Sequence, residues 1–170
     1  VESDVVVPVE AASSRDEYAA RTLRPKIHRL LPEYLVPLKP RKVKRYSLGL
    51  ALNGIRLAGI EDNLKVDRSV APVEGCRGGA TEAERLLEDF LERKLARYAE
   101  ERNVPGSDIP SGLSPYLHFG QISALRVALA VGERAQGSEA SVEAFLEELI
   151  VRRELAMNFT HFNPAYDRYE

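Results

Sequence analysis

The sequence encodes a mostly α-helical protein. Three stretches, TEAERLLEDFLERKLARYAEERN (81–103), ISALRVALAVGERA (122–135) and SVEAFLEELIVRRELAMNF (141–159), carry apolar residues at helical spacing. Each has a Thr or Ser near its start that can act as an N-cap. Against them stands one strand-like run, Val5, Val6 and Val7, which reads as a buried β-strand. A single strand cannot bury itself, so its sheet is expected outside these residues and the chain is expected to be a fragment.

Composition sets limits on function. The chain has 170 residues, 44% apolar and 29% charged, which suits a globular protein with a real core. No apolar run reaches the length of a membrane span and no secretory signal opens the chain. Cys76 is the single cysteine, so it has no partner for an internal disulfide and none at metal-ligand spacing; no metal site is expected. These features point to an intracellular, cytoplasmic setting. A net charge of −2 argues against a generic nucleic-acid binder, so any DNA contact must come from a local patch.

In chain order, residues 1–12 hold the strand, ending near Pro8. Ser13 or Ser14 can cap the next helix, with Asp16 and Glu17 at its positive end. Ile27, Leu30, Leu31, Tyr34 and Leu35 lie on one face, while Pro25 and Pro32 predict a kink or two short helices. Residues 36–80 read as irregular. Their basic cluster, Lys39, Arg41, Lys42, Lys44 and Arg45, is either a phosphate contact or, more plainly, a solvated linker. GCRGGA (75–80) ends the linker. Thr81 and Glu84 form a capping box, and Ala83, Leu86, Leu87, Phe90, Leu91, Leu95 and Tyr98 follow at helix spacing. That helix is expected to stop near Asn103-Val104-Pro105.

SGLSPYLHFGQIS (111–123) is a loop that turns into a helix. Gly112 suits a positive φ, and Ser114-Pro115 reads as N-cap and first helical residue. The free N–H groups of such a start can bind an anion, although a capped helix with no ligand is the plainer reading. His118 and Gln121 lack a metal or nucleophile partner nearby and are assigned structural roles. Ser123 caps the next helix, Gly137-Ser138 breaks it, and Ser141 starts the last. There Phe145, Leu146, Leu149 and Ile150 face the core, and Glu148 is placed for i,i+4 pairing with Arg152.

LSPYLHFGQIS, EYAARTLRPKI (17–27), FLERKLARYAEERNVP (90–105) and FLEELIVRREL (145–155) together resemble the photolyase/cryptochrome family, in the version of class II cyclobutane pyrimidine dimer photolyases. The resemblance covers nearly the whole chain with its motifs in order. It implies the end of an α/β antenna domain in residues 1–12 and a linker in 13–75. Residues 76–170 would then be the N-terminal half of the all-helical FAD-binding domain. Ser111, Gly112, Leu113 and Ser114 would cradle the flavin diphosphate, and Tyr98 would reach a flavin phosphate. Many class I members carry Thr-Ser-Arg where this chain has Pro110-Ser111-Gly112, so phosphate binding would lean on backbone N–H groups. Glu148 would be the catalytic carboxyl, hydrogen-bonded to the flipped dimer. Arg102 would approach DNA, Arg152 would lie near flavin and DNA, and Arg153 would join the DNA-binding set. Phe145 stands where class I has a flavin-contacting Trp, and Val151 where it has a dimer-stacking Trp. Apart from the family, Tyr98 is a core aromatic, Arg102 a helix-end cation and the Glu/Arg series a surface ladder.

The implied activity is light-driven repair of pyrimidine dimers in DNA, with electron transfer from reduced, anionic FAD; the antenna chromophore is not implied. The flavin does the chemistry and the protein binds and positions. The family's later helices and electron-transfer Trp residues have no counterpart here, since the chain has no Trp. A fragment is therefore expected to be inactive alone and to self-associate through apolar faces such as Leu86/Phe90 and Phe145/Leu149. Two alternatives stand beside repair: a cryptochrome-like photoreceptor, and a truncated interaction or DNA-binding module.

Overall fold

The computed structural model describes residues 4–39, 42–51, 54, 59–60, 64–65, 67–71, 73–134 and 138–168. Two compact units are present: Val1–Pro37 together with Gly78–Glu170, and Leu38–Arg77. The first is helical. Its elements are α1 (Val9–Ala12), α2 (Ala20–Tyr34), α3 (Ala80–Asp89), α4 (Tyr98–Glu101), α5 (Ser114–His118), α6 (Ala124–Glu133), α7 (Glu139–Leu146) and α8 (Arg153–Phe162). A π-helical turn, Phe90–Lys94, and a 3₁₀ turn, Leu95–Arg97, join α3 to α4. A second π turn, Glu147–Arg152, joins α7 to α8. The second unit carries only turns, bends and irregular backbone among the described residues of 38–58, as its composition predicts. Arg41, Gly137 and most of LALNGIRLAGI lie outside the described residues.

The apolar residues read from the sequence build the core. Ile27, Leu87, Phe90, Leu113, Val127, Val131, Phe145 and Ile150 are buried together, with Leu30, Leu31, Leu86 and Leu146 packed against them. α6 buries Ala124, Val127, Ala128, Ala130 and Val131, as expected for a helix apolar on most faces. Its cap is also as expected, because Ser123 Oγ accepts from Arg126 N–H at 3.1 Å.

The strand is a correction. No strand occurs among the described residues, and Val5–Val7 are buried in irregular backbone. The N–H groups of Val6 and Val7 donate to one carboxyl oxygen, Glu154 Oε1, each at 2.9 Å. A side chain of α8 thus takes the place of a neighbouring strand in satisfying buried backbone donors. Asn158, one turn further on α8, accepts from Glu17 N–H at 2.8 Å and donates to Arg15 C=O at 3.1 Å. Val6, Val7, Arg15 and Glu17 are therefore fastened to α8.

Several helix starts differ from their sequence signals. α2 begins at Ala20, not behind Ser13 or Ser14, and runs as one element through Pro25 and Pro32. Ser13 instead donates from Oγ to Glu17 Oε1 at 2.7 Å. α3 is capped by Gly79, at φ +114, and the Thr81/Glu84 box does not form. Glu84 pairs with Arg126 at 3.1 Å. α7 begins at Glu139, which leaves Ser141 inside it, buried, accepting from Ala99 N–H at 3.0 Å and donating to Ala96 C=O at 3.2 Å. The Ser141 hydroxyl thus serves tertiary partners rather than a local cap.

The apolar faces expected to be exposed are inside. Phe90, Phe145 and Leu149 are buried and Leu86 packs against the core, so these residues give no surface for self-association. No helix among the described residues is long and apolar enough to cross a membrane.

Candidate flavin and lesion site

Four of the residues singled out by sequence converge. The 3₁₀ turn brings α4 round so that Tyr98 packs edge-on against Phe145, with ring centroids 5.2 Å apart. Phe90 closes the set, 5.8 Å from Tyr98 and 4.7 Å from Phe145. One turn after Tyr98, Arg102 lays its guanidinium 5.9 Å from the Tyr98 ring centroid. Its Nη1 donates to Glu148 Oε1 at 3.1 Å. An arginine over an aromatic face gains cation–π attraction while its N–H groups stay free for a carboxylate. Burial pushes the Tyr98 hydroxyl above its ordinary pKa, opposed by its hydrogen bond with Arg102. The phenol therefore stays a hydrogen-bond donor through neutral pH.

Glu148 stands on the π turn, and this changes its partner. In a π turn the N–H reaches back five residues, here from Arg153 to Glu148 C=O. Side chains five apart then align, so Arg152 approaches Glu147, at 3.5 Å, and not Glu148. The expected Glu148–Arg152 pair is replaced by Glu147–Arg152 and Arg102–Glu148.

Glu147 is also gripped from α2. Arg24 donates to it twice, from Nε to Oε2 at 2.9 Å and from Nη2 to Oε1 at 2.7 Å. That bidentate bond, ahead of a smaller burial effect, holds the Glu147 carboxyl below the usual carboxylate range. An open cavity of about 860 Å³ lies beside this pair, between α2 and α7, with Arg24, His28, Leu31, Glu143, Glu147 and Val151 on its walls. Sequence reasoning missed Arg24 and Glu147, because nothing local marks an arginine on one helix for a glutamate 123 residues later.

The phosphate-loop residues form a second group. Gly112 has φ +71, with open space where a Cβ would stand, as its sequence context predicts. Ser111 Oγ accepts from Leu113 N–H at 3.3 Å, and Leu113 is buried in the same core that Tyr98 packs against. Ser114 is the first residue of α5 and makes no cap hydrogen bond; the cap position falls one residue earlier, on Leu113. α5 has only five residues, so its dipole adds little. This set fits a phosphate: the glycine leaves the backbone bare, and the Ser114 side chain is exposed beside it. Gln121 Oε1 accepts from Gly79 N–H at 2.7 Å, the structural role expected for it.

Arg153 lies apart from both groups. Its Nε donates to Asp4 C=O at 2.8 Å, and its Nη2 is 3.8 Å from the Asp4 carboxylate.

No protein-family model matches the chain. The chain is similar to the deoxyribodipyrimidine photo-lyase of Methanothermobacter thermautotrophicus, 44% identical over 168 residues, or 98% of this chain and 36% of that protein. It is 38% identical over 170 residues to the photo-lyase of Potorous tridactylus, covering 100% of this chain and 32% of that one. For the photo-lyase of Arabidopsis thaliana the figures are 41% over 176 residues, 98% and 35%. A protein named Cryptochrome-1 from Sinapis alba matches at 33% over 69 residues, 41% of this chain. These relatives, 38–44% identical over nearly the whole chain, support the photolyase family, and the chain spans about a third of their length.

Proposed function

We propose that the chain supplies part of the flavin and lesion site of a class II cyclobutane pyrimidine dimer photolyase. The observation that carries this reading is the convergence of Tyr98, Arg102, Phe145 and Glu148, which lie on two separated motifs, 46 residues apart at the Arg102–Glu148 contact. Residues 1–12 belong in this reading to the end of an antenna domain, 13–75 to a linker and 76–170 to the flavin-binding domain. Bound FAD, reduced and anionic, supplies the photoexcited electron donor. The residues supply the rest. Ser111, Gly112, Leu113 and Ser114 hold the diphosphate, with Tyr98 donating to it from its half-buried hydroxyl. Glu148 accepts or shares a hydrogen bond with the dimer, and Arg102 and Arg152 contact the DNA backbone around it. Arg153 joins them in this reading only by exchanging Asp4 for a phosphate. A damaged step is already weakly stacked, so extruding the dimer costs less than extruding an intact base. Photo-lyase matches reach 98–100% of the chain, whereas the two cryptochrome matches span 41% each, which favours repair over sensing.

The test is titration of the chain with FAD, followed by flavin fluorescence, and with duplex DNA carrying one cyclobutane dimer, followed by anisotropy. Saturable FAD binding weakened by Tyr98→Phe or Ser114→Ala is expected, with a dimer preference reduced by Glu148→Gln. A chain that is helical by circular dichroism, yet binds neither FAD nor the dimer in preference to intact duplex, overturns the reading.

A further inference from the structure

Charge is divided sharply between the two units. Residues 38–77 hold nine Lys and Arg against four Asp and Glu, a net +5, while the remaining residues hold fifteen against twenty-two, a net −7. No acidic residue lies between Glu33 and Glu61, and that run contains six basic ones. The near-zero charge of the whole chain conceals this division.

We infer that the segment around Lys39, Lys42, Lys44 and Arg45 is an electrostatic strap for the phosphate backbone of duplex DNA, separate from the lesion site and indifferent to damage. All four side chains are exposed, and so are Val43, Tyr46 and Leu48 among them. The segment falls in a compact unit of its own, Leu38–Arg77. Backbone phosphates are bound by counterion release, which needs closely spaced cations and no regular element. A membrane surface asks for something else, an amphipathic helix with its apolar residues on one face. No helix occurs among the described residues from Leu38 to Gly59, so the apolar residues there are not gathered on a helix face. An acidic helical unit repels DNA at long range, so a local basic strap offsets an opposing field. The choice of DNA over another polyanion rests on the proposed function; the strap itself does not.

The experiment uses the whole chain and an undamaged duplex of about 20 base pairs. Binding is measured by anisotropy from 50 to 200 mM salt for wild type, for K39Q/K42Q/K44Q/R45Q, and for R15Q/R21Q/R29Q/R134Q. The second variant removes the same charge from exposed positions of the helical unit. The slope of log affinity against log salt is expected to flatten by about 3 to 4 in the strap variant, near 0.9 per lost phosphate contact, and to stay near wild type in the control. Equal flattening in both variants, or in neither, overturns the inference. So does wild-type binding to phosphatidylserine vesicles with none to duplex. The ratio of affinities for dimer-containing and intact duplex is read in the same titrations. Loss of that ratio with the slope change intact would sink the lesion-site reading and leave the strap standing.

Discussion

Arg102 and Glu148 join the helix that follows the linker to the π turn of the last motif through a 3.1 Å ion pair, with side chains 29% and 46% exposed. A pair so open to water stabilises little, so its value lies in holding two polar groups ready beside Tyr98. A double-mutant cycle with Arg102→Gln and Glu148→Gln is expected to give a coupling below about 1 kcal/mol in urea unfolding. The same substitutions are expected to lower affinity for a dimer-containing duplex about tenfold each. A large unfolding coupling with unchanged dimer binding would make the pair structural.

Glu17 predicts the acid limit of the fold. Its side chain is almost wholly buried, and a hydrogen bond from Lys26, ahead of Thr22 and Ser13, lowers its pKa from 4.5 to about 2 against the opposing effect of burial. A depressed carboxyl pKa stabilises the fold fully above pH 4.5, and that share is lost as pH falls from 4.5 towards 2. Lys26 is about one-third exposed, so screening trims the contribution to about 1–2 kcal/mol. Glu17→Gln is expected to lower stability at pH 7 and to flatten its decline between pH 5 and 3, read from urea midpoints across that range.

Glu154→Ala should be the most damaging single change at the chain's beginning. It strands two buried backbone donors, those of Val6 and Val7, at a cost of about 3 kcal/mol. Glu154→Gln keeps an oxygen acceptor and is expected to cost about 1 kcal/mol. Hydrogen exchange at Val6 and Val7 should accelerate strongly in the alanine variant only.

Ser141→Ala removes the acceptor of Ala99 N–H and the donor to Ala96 C=O. The expected loss is about 1–2 kcal/mol, with the turn before Tyr98 loosened and FAD affinity reduced alongside. Unchanged stability would show that water replaces the hydroxyl.

Gly112→Ala is strained at φ +71 although the space is open, and should cost about 1–2 kcal/mol. Ser114→Ala should leave stability within about 0.5 kcal/mol, because Ser114 caps nothing. Both should weaken FAD, which separates binding from folding at this loop.

What could be read from sequence was whatever depends on neighbours along the chain. The apolar stripes through Leu87, Phe90, Val127 and Phe145 are core, the Ser123 cap forms, and Gly112 takes its positive φ. What depends on distant partners could not be read. Val5–Val7 carry the composition of a strand, but a carboxyl 147 residues away takes up the N–H of Val7. Thr81 and Ser141 have the chemistry of caps, yet the helices start behind Gly79 and Ser138, and the Ser141 hydroxyl bonds Ala96 and Ala99 instead. Tyr98, Arg102 and Glu148 were placed at the site by resemblance alone, for nothing in their spacing predicts the meeting. The Glu148–Arg152 pair failed because i,i+4 reasoning assumes an unbroken α-helix.

The π turn at Glu147–Arg152 holds one residue more than an α-helix needs, and so works as a phase shifter between two helical cylinders. Straightening that turn into α-helix with every residue kept would turn everything beyond it by about 100°. Glu154 and Asn158 would swing away from Val6, Val7 and Glu17, and the beginning of the chain would come loose with no contact residue changed.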